Sequence, residues 1–353
     1  MGTWPFTSGD STSKKDTASH EEERMIWGTA EAHPSLALIK YWGKRDDEAN
    51  TPATGSLAVT LAKLTTRTRA CWGSEDRVTL NGQLQPVAAF TKIFTALRQT
   101  WGWDHGLHIE SANNFPTAAG LASSSSGMAA LVGAVENLAV RHGETGLGLS
   151  RLSELARLGS GSATRSVWGG FTRFSAGGLA AESLFPETHW PEFRVLVVVV
   201  AEEAKAVSSR VGMEASRRTS PFYSAWVSTS DELLVQAETA LAQRHWATLG
   251  PLVRQSYLRM FSTMFTSEPP LLYWKPQSLA LILELEKARA EGFDAWETMD
   301  AGPQVKIFCP ADQLDALQER LTRAVPGLRT LASGPGGGLL RGVEDTLGAK
   351  DTP

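Results

Sequence analysis

Cysteine is nearly absent: Cys71 and Cys309 are the only two in 353 residues. They lie far apart, so no disulfide framework and no thiolate zinc site can be built from them. A reduced, cytoplasmic setting is the corresponding expectation. Long apolar runs are missing as well. The most apolar short run, 195–201, falls far below the ~20 residues that span a bilayer, so no membrane partner is expected. Residues 1–25 carry Lys14, Lys15, Asp16 and Glu21-Glu22-Glu23 and lack the apolar core of a signal peptide. They read as a disordered tail, with no secretion expected. Charge of one sign is not in excess: Lys plus Arg is 34, Asp plus Glu is 38, and the net charge is −4. That balance argues against nucleic acid held by bulk positive charge, while leaving room for a local basic pocket. The seven histidines show no His-x-x-x-His spacing, so no histidine metal site is expected.

The remaining composition, 42% hydrophobic and 20% charged, belongs to a globular chain. Its length suits about two domains. Strands are expected at 35–41, 56–64, 67–72, 78–80 and 107–111, with Asn81-Gly82 as a hairpin turn. Helical spacing covers 88–100, 124–141 and 149–158. The β-branched run 195–201 reads as a buried central strand. Helices follow at 209–218, 222–243, 245–265 and 276–291, then strands at 295–299, 304–309 and 328–333 and a glycine loop at 334–338. Mixed strands and helices in two blocks predict an α+β protein of two domains, 26–190 and 191–345, divided near Pro186–Pro191, with a short tail over 346–353.

Four segments could carry chemistry. Residues 116–127, Pro-Thr-Ala-Ala-Gly-Leu-Ala-Ser-Ser-Ser-Ser-Gly, precede an apolar helix. Small residues there let backbone N–H groups approach an anion, and the helix offers its positive end. Four serines in a row also suit a flexible linker, but the immediate helix argues against that. No Gly-Lys-Ser/Thr closes the loop, so it is not a Walker A motif. Residues 40–46, Lys-Tyr-Trp-Gly-Lys-Arg-Asp, end a strand in three cations; a solvated end with snorkelling lysines is the bland alternative. Residues 159–166 combine glycines and hydroxyls with Arg165, whose guanidinium suits a carboxylate or phosphate; an ordinary loop is the alternative. Residues 298–303, Thr-Met-Asp-Ala-Gly-Pro, place Asp300 before a turn, where an Asp is ordinarily a turn former. Ser208-Ser209-Arg210 is a further anion-friendly cluster that also reads as a helix cap.

Taken in order, 37–46, 113–124, 159–165 with Gly169-Gly170-Phe171, and 299–303 resemble the mevalonate diphosphate decarboxylases of the GHMP kinase superfamily. The resemblance runs from about Ala32 to Leu340. It implies a two-domain GHMP kinase-like α+β fold with the active site in the interdomain cleft, a homodimer, and ATP and Mg2+ as cofactors. The implied reaction converts mevalonate 5-diphosphate to isopentenyl diphosphate, ADP, phosphate and carbon dioxide.

Carried over residue by residue, the resemblance makes Asp300 the catalytic Asp beside the 3-hydroxyl and Lys40 its partner near the transferring phosphate. Arg165 becomes the clamp on the substrate carboxylate, and Ser124 a contact to the ATP phosphates. Ala119, Gly120, Leu121, Ser123 and Ser125 complete the nucleotide loop. Tyr41, Lys44, Ser160, Ser162, Ser209, Arg210 and Met213 line the substrate diphosphate pocket. No metal ligand is assigned. The chain departs from the family's usual residues at Ser35, Thr54-Gly55, Phe261 and Gln304. Alternatives within the superfamily are a decarboxylase of the 5-monophosphate or a related phosphorylated 3-hydroxy acid, and a kinase that stops at phosphorylation. A catalytically dead nucleotide-binding module is the alternative from another class.

Overall fold

A computed structural model describes residues 25–115, 123–201, 203 and 206–347. The expected N-terminal tail up to residue 24, the loop at 116–122 and the chain end beyond 347 lie outside the described residues. Three larger sheets organise the rest. A six-stranded sheet runs in the order Leu340–Arg341, Gly28–Ala32, Thr66–Gly73, Gly106–Asn113, Arg77–Leu80, Gln83–Leu84. Asn81 (φ 49°) and Gly82 (φ 76°) turn the last two strands back on each other, the paired left-handed conformation a type I′ hairpin needs. The helix Ser123–Arg141 packs on this sheet at unusually close range. A Cβ at Gly28 would stand 2.2 Å from the backbone of Ala134 and Leu138, so only glycine fits there.

The second sheet orders Glu182–Phe185, Phe171–Phe174, Ser56–Thr60 and Ser35–Ile39; the third orders Trp296–Thr298, Val305–Pro310, Phe193–Val199 and Arg329–Ser333. Within the third, every pairing is antiparallel. The expected strand at 195–201 is fully buried through Val199 but stops there. Beyond it, the side chain of Gln304 replaces the ladder. Its Oε1 accepts from the N–H groups of Val200 and Ala201, and its Nε2 donates to the Ala201 carbonyl.

The second and third sheets share one core. Phe171 packs edge-on against Phe193 at 5.4 Å, and Phe193 stacks on Phe308 at 5.7 Å. That cluster also takes in Leu36, Val59, Val195 and Val197. A separate apolar cluster lies under the long helices Trp246–Phe265 and Pro276–Ala290. Sequence reading did not anticipate the strand Gly28–Ala32, the five-residue helix Ala163–Val167 or the helix Leu314–Ala324. The first is short and small-residue-rich, and the second is a single buried turn within a loop-like stretch.

Candidate active site

The strand Ser35–Ile39 ends where Lys40 changes partner. Its N–H donates to Ser256 Oγ on the helix Trp246–Phe265 at 2.8 Å instead of continuing the ladder. Its Nζ donates to the Ala37 carbonyl at 2.8 Å and to Asp300 Oδ1 at 2.7 Å. Lys40 is 1% exposed, which overturns the solvated, snorkelling alternative for this lysine. Asp300 follows the strand Trp296–Thr298 and does form a turn, its carbonyl accepting from Gly302 N–H at 2.7 Å. Its side chain is nonetheless a charge centre, about 32% exposed toward the cleft. A second ammonium, Lys306, meets Oδ2 at 2.9 Å.

Burial pushes the Asp300 carboxyl toward the neutral acid. Lys306 and Lys40 outweigh that and hold it well below the usual carboxylate range. Lys40 itself is lowered to about 8, chiefly by burial. Asp300 opposes that shift, while Lys306 and Arg165 add to it.

Arg165 projects from the helix Ala163–Val167. It is 3% exposed, and its Nη1 donates to Ser56 Oγ at 2.6 Å. Its Nε is buried with no protein partner. Desolvation brings the guanidinium down to about 10, against the pull of Asp300 and Tyr41, so it stays charged near neutral pH. An always-charged fork with an unused buried donor is what a carboxylate ligand would complete. Tyr41 lies beside it, raised to about 12 by burial, its hydroxyl also without a partner.

These groups wall a cleft of about 530 Å3. Ser160 and Ser162 line it, their hydroxyls 3.1 Å apart, and Ser160 Oγ donates to Ser124 Oγ at 3.4 Å. Lys44, Ser123, Ser209, Arg210 and Met213 line it too. Ser208 caps the helix Ser209–Thr219, so the cap reading holds for that residue while Ser209 and Arg210 face the cleft. Lys44 is held below the ordinary lysine value by burial first and by Arg210 next; two cations from distant segments therefore converge. Lys44, Asn50 and Arg210 also wall a neighbouring cavity of about 730 Å3.

Some expected residues are placed differently. Ser125 is fully buried, accepts from Ser35 N–H at 3.3 Å and lines no part of the cleft. It ties the helix Ser123–Arg141 to the strand before Lys40, because its position one residue past Ser124 turns it to the sheet side. Ala119, Gly120 and Leu121 lie outside the described residues. Lys306 and Ser256 were missed. Lys306 carried one usable signal: a lysine between Val305 and Ile307 in a buried strand requires a counter-charge.

Among the described residues, no group of three or more His, Cys, Asp or Glu side chains could hold a metal ion. The cleft offers hydroxyls and the single carboxylate of Asp300. That set suits a magnesium ion that arrives on nucleotide phosphates and draws its remaining ligands mostly from water.

Comparison with known proteins adds independent findings. A model of the diphosphomevalonate decarboxylase-like N-terminal domain matches residues 32–185. One of the mevalonate 5-diphosphate decarboxylase C-terminal domain matches 195–334. The human diphosphomevalonate decarboxylase is 36% identical over 321 residues, 81% of this chain and 78% of the relative. The Aspergillus fumigatus enzyme is 34% identical over 322 residues, 82% and 78%. The solved Staphylococcus aureus mevalonate diphosphate decarboxylase superposes with a TM-score of 0.84 at 33% identity, covering 92% of this chain and 99% of that one. A structure described as MDDEF in complex with MVAPP, AMPPCP and magnesium gives a TM-score of 0.82 at 35% identity, covering 90% and 99%. Two matched domain models, relatives above 30% identity and a shared GHMP kinase-like fold agree: the chain belongs to the mevalonate diphosphate decarboxylase family.

Proposed function

We infer that the protein catalyses the ATP-dependent decarboxylation of mevalonate 5-diphosphate to isopentenyl diphosphate, ADP, phosphate and carbon dioxide. The observation that carries the reading is Asp300 held between Lys40 and Lys306 in a cleft that also contains the buried guanidinium of Arg165. A 3-hydroxy acid has no electron sink beside its carboxylate, and hydroxide leaves poorly. The phosphoryl group of a magnesium-bound ATP supplies the leaving group and the metal neutralises its charge.

The protein's part is positioning and electrostatics. Asp300 accepts the hydrogen bond of the tertiary hydroxyl and receives its proton as the oxygen bonds to phosphorus. Lys40, beside it, balances the charge on the transferring group. Arg165 grips the carboxylate through its free Nε side and orients the bond that breaks. Ser123, Ser124, Ser160 and Ser162 offer hydroxyls to phosphate oxygens, with the loop at 118–122 completing the nucleotide side. Lys44 and Arg210 face the substrate's terminal phosphate, with Tyr41, Ser209 and Met213 around it. In this reading the lobes 26–190 and 191–345 supply opposite walls.

The test is carbon dioxide release from substrate labelled at the carboxyl carbon, coupled to ADP formation. It is run side by side on mevalonate, its 5-phosphate and its 5-diphosphate. The diphosphate is expected to give the highest kcat/KM, with ADP and carbon dioxide formed one to one. ADP without carbon dioxide would make the protein a kinase, and a preference for the monophosphate would move the substrate assignment. The family reading also carries a cytoplasmic homodimer, which sedimentation of the purified protein tests. None of the described helices is long and apolar enough to cross a membrane.

A further inference from the structure

The sequence motifs that point to Asp300, Lys40 and Arg165 leave out Lys306, although it touches the reacting carboxylate's other oxygen. Lys306 comes from the strand Val305–Pro310, where it pairs in register with Thr298 across the hairpin that carries Asp300. It is 3% exposed. It does not line the substrate cleft; with Asp300, Ser35 and Leu61 it closes a void of about 10 Å3 behind it. Asp300 is therefore held from two sides. Lys40 takes Oδ1 on the cleft side at 2.7 Å, and Lys306 takes Oδ2 from behind at 2.9 Å.

We propose that Lys306 is a positioning residue of the reaction: by occupying Oδ2 of Asp300 it fixes the carboxylate with Oδ1 toward Lys40 and the cleft, and balances its charge. This rests on the decarboxylase reading above. Two ammonium groups on separate strands remove the rotation that one partner would leave to a carboxylate at a turn. A carboxylate held in one orientation presents the same oxygen to the hydroxyl at every turnover, which is an orientation gain.

The charged groups facing this centre are Lys40, beyond the strand Ser35–Ile39, Lys306 from the strand Val305–Pro310, and Arg165 from the helix Ala163–Val167. Lys306 lowers both Asp300 and Lys40. Its loss therefore raises both. Ionised Asp300 sets the acid limb of the kcat–pH profile and protonated Lys40 the alkaline limb. Both limbs should then move in the same direction, to higher pH. The shift in the limbs reads the charge of Lys306, and the loss of kcat at unchanged KM reads its positioning of the carboxylate.

The experiment measures kcat, the two KM values and the kcat–pH profile of the full chain with MgATP and mevalonate 5-diphosphate. It compares wild type, Lys306→Met, Lys306→Arg and Asp300→Asn. Lys306→Met is expected to lose about ten- to a hundredfold in kcat, within the general acid–base range, with both KM values within about threefold. Its alkaline limb, set by Lys40, should move to higher pH. Lys306→Arg should keep the wild-type limbs, since it keeps the charge. If Lys306→Met does not fold, Lys306→Gln is read on the pH limbs alone, because it removes the charge while leaving a donor to Oδ2. Wild-type limbs and near-wild-type kcat in the neutral variant, beside an active wild type and an inactive Asp300→Asn, overturn the role of Lys306 alone. A wild type that releases no carbon dioxide overturns the decarboxylase reading and this proposal together; an Asp300→Asn that keeps more than a tenth of kcat overturns the role of Asp300, and this proposal with it, while the decarboxylase reading stands.

Discussion

Two acids three residues apart, Glu297 and Asp300, each sit between two cations, and they do opposite work. Glu297 is 0% exposed. Tyr257 Oη donates to its Oε1 at 3.0 Å, Arg254 Nε lies 2.8 Å from the same oxygen, and Arg289 Nη1 donates to Oε2 at 2.8 Å. Every lone pair direction faces protein, so the group can only hold the strand Trp296–Thr298 to the two long helices. Asp300 has the same charge arithmetic with lysines in place of arginines, but a third of its side chain opens on the cleft. Charge pairing alone does not mark a reactive acid; an oxygen that is both paired and reachable does. The choice of cation matters too. Lys40 is brought to about 8 by its surroundings, a range where a lysine can exchange a proton and an arginine cannot.

The comparison breaks most sharply at Asp300 itself. Asp300→Asn keeps a hydrogen-bonding side chain but cannot take a proton, so kcat should fall on the order of a thousandfold or more. ATP and substrate affinities, measured by calorimetry, should stay near wild type. The mirror-image change is Glu297→Gln. It leaves two partly buried arginines short of their counter-charge and should cost about 3 kcal/mol of stability, the lower end for a broken buried ion pair. Denaturant titration checks this, and kcat of the folded fraction should change little. Equal losses of activity in the two variants would erase the distinction between them.

Arg165→Lys tests whether charge or shape matters beside Asp300. Lysine keeps the charge but loses the planar fork, so carbon dioxide release should fall about tenfold or more, with ADP formed in excess of carbon dioxide. Weaker nucleotide affinity as the sole effect would put Arg165 on the ATP side. Arg210→Ala removes one charge-assisted phosphate contact worth roughly 1.5–3 kcal/mol. The KM for the diphosphate should rise about ten- to a hundredfold, its advantage over the monophosphate should narrow, and the KM for ATP should barely move. The smallest effect is expected at Gln304, a neighbour that touches neither acid. Gln304→Asn withdraws the amide from Val200 and Ala201 and should cost about 1 kcal/mol, read as a shift in melting temperature.

Much of the cleft was legible in the chain. Lys40, Arg165 and Asp300 stand in the motifs that carry the family resemblance, and the cleft brings all three together; the small-residue stretch read as an anion site lies largely outside the described residues. The long helices and the buried 195–199 strand follow from periodicity and β-branching. What escaped was information held in register. Lys306 stands in an apolar strand that calls for a counter-charge, but its partner appears only when the hairpin sets it across from Thr298 and beside Asp300. Gln304 could be read only as a departure from the family's usual residue; in the fold it closes the end of a neighbouring strand. Ser125 could not be separated from Ser124 by composition, because one step along a helix turns a side chain by about 100°.

The backbone bond from Lys40 to Ser256 joins the first half of the chain to a helix of the second. Lys40 and Arg165 come before residue 190, Asp300 and Lys306 after it, and the core through Phe171, Phe193 and Phe308 welds the two. The working charge balance is therefore a property of neither gene half. A chimera that joined the first half of one relative to the second half of another would take Lys40 and Arg165 from one parent and the Asp300–Lys306 pair from the other. A change to the charge of either half is therefore felt by the carboxylate they share, so the two halves work as one unit rather than as exchangeable modules.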